Sequence, residues 1–292
     1  MNILQFAARA MIAVAFSGSA HAQTEVSWYI PELPPQHMTS GPRAGMGYND
    51  LALTRELIPR LPAFAHKVVT TTLARRNAMV SAGPTACGIS LLKNKEREQT
   101  MLFSAAHRGT LSPGVLIAKS AAERVAPYVD SAGKLMLARI LADGRLKVGM
   151  ETGRSYGGEL DEMLAPYLQK GNVHGVTFQQ GTSGLLRMAV NRRVDLVLAY
   201  PYEPEYMSSE NGDDFSSLSF RLVSGVPEYL LTYLACSKTD TGAAVIAALD
   251  LVLVQPGVRE AMRDHYEAWL EPEAKLLDRK YWTQAFKPGA AP

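Results

Sequence analysis

Two arginines beside turns are the first residues in this sequence that could do chemistry. Arg97 follows the apolar segment ACGISLL (86–92), and Arg154 lies within the segment GRSYG (153–157). A planar guanidinium group can hold a carboxylate through two parallel hydrogen bonds. Both arginines are therefore candidate contacts for an anion. A surface ion pair with Glu96 or Glu98 is the alternative role for Arg97.

The segment GRSYG joins a predicted strand to a predicted helix. Free backbone N–H groups and the positive end of the helix dipole favour an anion at such a junction. We expect Arg154, Ser155 or Tyr156 to contact a ligand, and an ordinary turn capped by Ser155 is the alternative. The segment lacks the lysine and spacing of a phosphate-binding loop, so it predicts no nucleotide.

The same segment also matches Gly-x-Ser-x-Gly, the pattern of a hydrolase nucleophile. Ser155 could then act with His174 or His265, which follow it in the chain. A hydrolase of that type needs about eight strands in one sheet, which the element order below does not favour.

Aromatic residues at predicted strand ends could form the walls of a cleft. Trp28 and Tyr29 lie in the first strand, while Tyr200 and Tyr202 follow the strand VDLVLA (194–199). Successive residues of a strand point to opposite faces, so only one of Trp28 and Tyr29 can face a given pocket.

Composition argues against several other functions. The formal net charge is +2, which does not predict a nucleic-acid-binding face. The histidines are scattered and the cysteines lack metal-ligand spacing, so the sequence predicts no metal and no cofactor.

The N-terminus has the three-part layout of a cleavable signal peptide. Arg9 precedes an apolar stretch (10–16), and small residues end at Ala20 and Ala22. A membrane span would need about 20 apolar residues. We therefore predict that residues 1–22 are removed, leaving a periplasmic or secreted protein. No cysteine near the cut offers a lipid anchor.

Periodicity predicts two units of βαβαβ order, one over residues 25–92 and one over 146–200. A further apolar strand is predicted at 228–236, followed by helices at 243–254 and 258–270 and a polar tail to Pro292. The pattern indicates an α/β fold built from parallel strands.

The order and spacing of several segments resemble the family 3 extracellular solute-binding proteins, the polar amino-acid-binding type, and most closely an uncharacterised branch of that family. The resemblance covers nearly the whole mature chain. It depends on Cys87 with its strand and the turn at Arg97, on the Phe103-Ser104 segment, on GRSYG, on Arg193-Val194-Asp195, and on the aromatic end of the last predicted helix near Trp269.

This resemblance implies a two-lobed periplasmic-binding-protein-like (type II) α/β fold with lobe 2 inserted into lobe 1. The implied division gives lobe 1 residues 23–120 and 223–292, and lobe 2 residues 121–222. It also implies that Arg97 holds the carboxylate of the ligand. Where the family has an ammonium-binding aspartate this chain has Tyr200, and Asn94 replaces a threonine. We therefore expect a carboxylate-bearing ligand without an obligatory amine.

Cys87 and Cys236 are the only cysteines. From the residues alone they could form a disulfide or remain two buried thiols. In the fold that the chain resembles, their strands are neighbours. The resemblance therefore implies a Cys87–Cys236 disulfide.

The function predicted is binding of a small anionic or polar solute between the lobes of a monomer, for uptake through an inner-membrane permease. A periplasmic sensory protein is one alternative. The other is a dehydratase-like enzyme in which Glu203 or Glu205 acts as acid or base.

Overall fold

The protein consists of two mixed β-sheets flanked by helices. Its structure is a computed structural model, which describes residues 23–168, 171–176 and 181–287. The predicted α/β class is confirmed. The predicted signal peptide, residues 1–22, lies outside the described residues.

Strands and helices within these ranges are defined as follows. The strands are β1 Thr24–Pro31, β2 Phe64–Thr71, β3 Ala86–Leu91, β4 Met101–Leu111, β5 Gly114–Ala118, β6 Val148–Glu151, β7 Val173–Val176, β8 Leu196–Ala199, β9 Leu218–Arg221 and β10 Tyr229–Ser237. The α-helices are α1 Tyr48–Leu51, α2 Leu73–Ala82, α3 Arg97–Thr100, α4 Ala122–Val125, α5 Leu137–Asp143, α6 Gly158–Leu164, α7 Gly181–Val190, α8 Glu203–Asn211, α9 Asp240–Leu253, α10 Val258–Glu267 and α11 Pro272–Ala285.

The first sheet has the strand order β2-β1-β3-β10-β4. β1 is parallel to β2 and β3, whereas β10 is antiparallel to β3 and β4. The second sheet has the order β7-β6-β8-β5-β9, with β6 parallel to β7 and β8. Lobe 1 below means the first sheet with α1–α3, α9 and α10, and lobe 2 means the second sheet with α4–α8.

Two chain segments cross between the sheets, residues 112–113 and residues 222–228, and they are called the hinge below. The predicted division assigned residues 114–118 to lobe 1, but β5 pairs with β8 and β9 and belongs to the second sheet. Pro113 cannot donate to a ladder, so β4 ends before it. With only residues 112–113 between the strands, the chain continues directly into the other sheet.

Burial explains why these segments form strands. All residues of β5 and β8 are buried, as expected for strands covered on both faces. In β1, Val26, Trp28 and Ile30 are buried at alternate positions. Their side chains pack with those of α9 in the core of lobe 1.

Cys87 in β3 and Cys236 in β10 form the predicted disulfide. The two residues are direct partners in the antiparallel ladder, with Cα atoms 4.1 Å apart. The pairing implied by the resemblance is confirmed in the structure.

The region expected to be a polar tail contains a helix instead. α11 begins after Glu271 with Pro272 at its first position, where the missing N–H costs nothing. Within the helix, the side chains of Ala274 and Asp278 are buried. Tertiary packing, rather than a continuous apolar stripe, holds this helix.

Two properties of the described residues bear on other functions. No single helix there is both long and apolar enough to cross a membrane, and α9 with α10 meets that test only as a pair bent by 84°. The same residues contain no group of three or more histidine, cysteine, aspartate or glutamate side chains that could hold a metal.

Candidate functional site

Arg97 begins the short helix α3, in the connection that leaves β3. Its backbone N–H donates to Asn94 Oδ1 at 2.8 Å, and its Nη1 donates to the Leu92 carbonyl at 2.8 Å. Asn94, which replaces the threonine of the resembling family, therefore acts as the cap of this turn. These contacts hold the half-buried Arg97 side chain against the end of the strand.

The surface pairing considered for Arg97 is absent. Glu98 instead pairs with Lys93 at 3.1 Å. Within residues 23–168, 171–176 and 181–287, Arg97 forms no ion pair. Its guanidinium donors that do not reach Leu92 therefore remain available to an anion.

Arg154 has a different environment in lobe 2. Its Nη2 lies 2.8 Å from Glu203 Oε1, and its Nη1 donates to Thr182 Oγ1 at 2.9 Å. The guanidinium also lies over the rings of Tyr156 and Tyr200, at 5.2 and 5.4 Å from their centroids. The charge of Arg154 is thus compensated inside lobe 2.

The pKa values of this pair reflect their burial. Burial raises the pKa of the Glu203 carboxyl above its usual value, and Arg154 opposes that rise. Burial alone would lower the pKa of Arg154, but Glu203 together with Tyr156 and Tyr202 outweighs burial, and the net pKa is raised. The 2.8 Å contact and the opposing electrostatic effects of the two groups thus hold the Arg154 and Glu203 side chains against each other.

The Asp161 side chain caps the turn that contains Ser155 and Tyr156. Asp161 Oδ1 accepts from the Tyr156 N–H at 2.7 Å, and Asp161 Oδ2 accepts from Ser155 Oγ. The Gly157 N–H donates to Ser155 Oγ at 3.3 Å. A carboxylate from α6 thus occupies the place expected for a ligand anion.

The helix begins later than predicted. α6 starts at Gly158 and its N-cap is Gly157, so Ser155 lies outside it. Ser155 is exposed, whereas Tyr156 is buried and its hydroxyl accepts from the Glu151 N–H at 2.9 Å. Of the two, only the Ser155 side chain faces solvent.

Trp28 and Tyr29 point to opposite faces, as strand geometry requires. Trp28 is fully buried in the core of lobe 1, and its Nε1 donates to His66 Nδ1 at 3.0 Å. Tyr29 is half-buried on the other face. The structure therefore places Trp28 among structural residues and leaves Tyr29 as the accessible member of the pair.

Tyr202 brings the two lobes together. Its ring packs edge-on against Tyr48 and Tyr266 of lobe 1, with centroids 6.0 and 6.3 Å away. Its hydroxyl accepts from Gln36 Nε2 at 3.2 Å. Tyr200 stacks on Tyr202 at 5.1 Å and remains half-buried, so it offers the more accessible ring.

A second contact between the lobes lies in the loop that follows β1. Arg43 Nη1 donates to Ser209 Oγ of α8 at 2.7 Å, and its guanidinium lies 5.8 Å from the Trp269 ring centroid. Glu210 lies 3.7 Å from Arg43 Nε. The lobes are therefore held against each other on the side of α8.

Solved structures share this architecture, although no protein-family model matches the chain and no curated protein matches it in sequence. The probable amino-acid ABC transporter extracellular-binding protein ytmK of Bacillus subtilis aligns with a TM-score of 0.57 at 13% identity, covering 85% of this chain and 99% of that one. A histidine kinase sensor domain similar to periplasmic binding proteins aligns with a TM-score of 0.53 at 17% identity, covering 86% and 98%.

A third structure is the ancestral amino acid-binding protein AncCDT-1, described as a precursor of cyclohexadienyl dehydratase. It aligns with a TM-score of 0.51 at 15% identity, covering 85% of this chain and 96% of that one. The chain has the periplasmic-binding-protein fold. At these identities the likeness establishes the fold and not the ligand.

Within this periplasmic-binding-protein fold, the hydrolase alternative has no geometric support. Ser155 Oγ contacts Asp161 and Gly157, and no histidine among the described residues hydrogen-bonds to it. His265 lies in lobe 1, where its Nε2 is 3.3 Å from Glu56 Oε1.

Sequence reasoning missed a buried arginine where lobe 1 meets lobe 2. Arg108 of β4 is 2% exposed, and its guanidinium lies 4.6 Å from the ring centroids of both Tyr48 and Tyr266. Its Nη1 donates to the Gly109 carbonyl at 2.9 Å. The available signal was an arginine inside MLFSAAHRGTL (101–111), a segment that was not recognised as a strand.

An open pocket of about 380 Å³ lies beside the lobe 2 turn. Met150, Leu164 and Val173 form an apolar wall, while Arg154 and Ser155 lie on the polar side. Arg154 and Ser155, two of the predicted lobe 2 residues, thus border a cavity of the size of a small solute, whose lining residues all belong to lobe 2.

Proposed function

We propose that the protein is an extracellular solute-binding protein that holds a small carboxylate-bearing solute between lobe 1 and lobe 2. The observation that carries this proposal is Arg97, a half-buried arginine in the turn after β3 with no ion pair among the described residues. The guanidinium donors of Arg97 that do not reach Leu92 have no carboxylate partner among the described residues, so a ligand carboxylate is their natural complement.

Lobe 2 contributes to the site without a free charge. Arg154 is paired with Glu203, and Asp161 satisfies the turn of Ser155. We therefore assign the Ser155 hydroxyl and the half-buried Tyr200 ring as contacts of the neutral part of the solute. This division places the anion of the solute against lobe 1.

The predicted signal peptide and the fold support a location in the periplasm or outside the cell. Uptake is the role we propose, in which the loaded protein delivers its solute to an inner-membrane permease, as a monomer. Among the structures it resembles are a transporter binding protein and a kinase sensor domain, so a sensory role differs by partner rather than by fold.

Glu203 and Glu205, the two glutamates considered as acid or base, do not favour an enzymatic role. Glu203 is buried and neutralised by Arg154, and Glu205 is exposed on α8. Neither is a free acid within an enclosed cleft, as a general acid or base requires. Binding without turnover is therefore the function we propose.

The solute can be identified by native mass spectrometry of the purified protein and a thermal-shift screen of organic acids, amino acids and short peptides. We expect a carboxylate without an obligatory amine to give the largest shift. Incubation of that solute with the protein, followed by product analysis, separates binding from turnover. Recovery of a converted product would move the assignment to an enzyme.

Arg97→Ala provides the residue-level test with the identified solute. We expect the variant to bind more weakly by about 2 to 4 kcal/mol, because a charge-assisted and bidentate contact is lost. Arg97→Lys should recover only part of the affinity, since an ammonium cannot form the same fork. Isothermal calorimetry measures both.

Arg75→Ala is the matched control, because Arg75 is an exposed arginine on α2 of the same lobe. It removes an equal charge and should leave the affinity unchanged. If Arg97→Ala binds as tightly as the control, the anion site lies elsewhere and the proposal is wrong.

A further inference from the structure

The last helix, α11, is attached to lobe 2 at its beginning. Glu271, which precedes it, accepts a hydrogen bond through Oε1 from the Phe220 N–H of β9 at 3.1 Å. β9 is the edge strand of the second sheet. This contact connects the start of α11 directly to the backbone of lobe 2.

Further along, α11 is attached to lobe 1. Arg279 donates to Glu267 of α10 through Nε at 2.9 Å and through Nη2 at 2.7 Å. The Arg263 guanidinium of α10 lies 4.6 Å from the Trp282 ring centroid. α11 therefore bridges the two lobes.

Between these attachments, α11 covers the two lobe 1 strands that adjoin the hinge. The Tyr281 ring stacks on Tyr229, the first residue of β10, with centroids 5.8 Å apart. The Tyr229 ring lies so close to Gly109 of β4 that a Cβ there would be 2.0 Å from Tyr229 Cε1. The two lobe 1 strands that adjoin the hinge, β4 and β10, are thus packed beneath this helix.

Asp278 lies at the centre of this contact with 0% of its surface exposed. The Tyr229 hydroxyl faces the Asp278 carboxyl group. Neither the hydroxyl nor the carboxyl group forms a hydrogen bond of normal geometry with any other described residue. Within the same residues Asp278 also has no direct ion pair. The charged and titratable groups around it are Arg108 of β4, Tyr229 of β10, Arg263, Tyr266 and Glu267 of α10, and Arg279 of α11.

We propose that α11 is a clasp across the hinge, and that protonation of Asp278 keeps the clasp docked. A neutral carboxyl group can remain in this buried position facing Tyr229. An ionised carboxylate is costly there because burial removes it from water, and the attraction of Arg108 does not offset that cost. Ionisation therefore favours release of the helix.

The direction of the pH dependence follows from the titration of Asp278. Burial raises the pKa of Asp278 from 3.8 to about 7, with Arg108 opposing the rise and Glu267 adding to it. The docked state therefore binds a proton that the released helix gives up. Docking is firmest below a pH of about 4, weakens as the pH rises to about 7 and levels off above that.

Hydrogen–deuterium exchange of the full chain tests the clasp. Once corrected for intrinsic exchange, α11 amides should open about a hundredfold more often at about pH 8 than at about pH 5. Asp278→Asn removes the titration and should flatten this profile. Glu273→Gln, an exposed acid on the same helix, should leave the profile as in the wild type.

Small-angle X-ray scattering separates a clasp from local fraying. If α11 holds the lobes, the radius of gyration should be larger at the higher pH in the wild type and constant in Asp278→Asn. A wild-type helix whose opening does not change with pH overturns the proposal, whether or not the variant folds. So does a wild-type radius that stays constant while α11 opens.

The clasp does not depend on which solute is bound. The clasp proposal can be wrong while Arg97 still binds a carboxylate, and it can be right even if Arg97 has no role in binding. The two sets of measurements therefore test separate claims.

Discussion

In lobe 1 the Arg97 guanidinium, in the turn after β3, has no ionic partner among the described residues, whereas in lobe 2 the turn after β6 encloses Arg154 with Glu203. Both arginines follow a buried strand, and from sequence both qualify as anion contacts. An arginine is available to a ligand only if its own chain has not already supplied the carboxylate. The pairing in three dimensions therefore distinguishes a binding arginine from a structural one.

The two lobes also differ in the interactions that stabilise them. Lobe 1 has a covalent link between β3 and β10, while the turn of lobe 2 depends on buried ion pairs and carboxylate caps. A bridge acts mainly by restricting the unfolded chain, whereas an ion pair stabilises only the folded lobe. Each form of attachment can be removed separately.

The largest effect should come from replacing both Cys87 and Cys236 by Ala. The bridge closes a loop with a sequence separation of 149, so its loss should lower the free energy of unfolding by about 4 to 5 kcal/mol. Urea denaturation measures this change. Hydrogen exchange should show protection lost first in β3 and β10, with β6 and β8 retained, and equal losses in both sheets would contradict this localisation.

Breaking the ion pair in lobe 2 should have the next largest effect. Glu203→Ala leaves the partly buried Arg154 with only the longer 3.5 Å contact to Glu151, which should cost about 3 kcal/mol of unfolding free energy. Glu205→Ala on the same helix removes an exposed acid and should change it by no more than about 0.5 kcal/mol. Chemical denaturation measures the free energy of unfolding of both variants. If the two variants lost the same amount, Arg154 would not depend on Glu203 for stability.

The contact between the lobes should show the smallest effect. Tyr202→Phe removes the acceptor for Gln36 and should cost about 0.5 to 1.5 kcal/mol, because the ring stacking is kept. Tyr200→Phe is the control, since the Tyr200 hydroxyl has no hydrogen bond to the other described residues in the structure. Thermal unfolding compares the pair, and identical midpoints would rule out a role for the Gln36 contact.

Much of the fold is predictable because its signals are local. The apolar run at 86–92 corresponds to β3 Ala86–Leu91, and the run at 194–199 corresponds to β8 Leu196–Ala199. Such strands are buried on both faces, so their composition alone reveals them. The resemblance added the arrangement of the two lobes and the disulfide partners.

β4 and α11 were missed because their burial depends on distant partners. β4 carries His107 and Arg108 inside a strand, and those polar residues are tolerated because neighbouring elements enclose them. Nothing within residues 101–111 predicts that enclosure. The buried face of α11 likewise includes the polar Asp278.

The sequence by itself determined the α/β class, the buried strands and the location of two arginines in turns. Only the tertiary structure decided which arginine is neutralised, because Glu203 is far from Arg154 along the chain and reaches it through the packing of α8. The same applies to Arg108, whose ring partners Tyr48 and Tyr266 come from opposite ends of the chain. Strand formation is decided by local burial patterns, whereas the charge that a site presents depends on contacts between residues that the sequence separates.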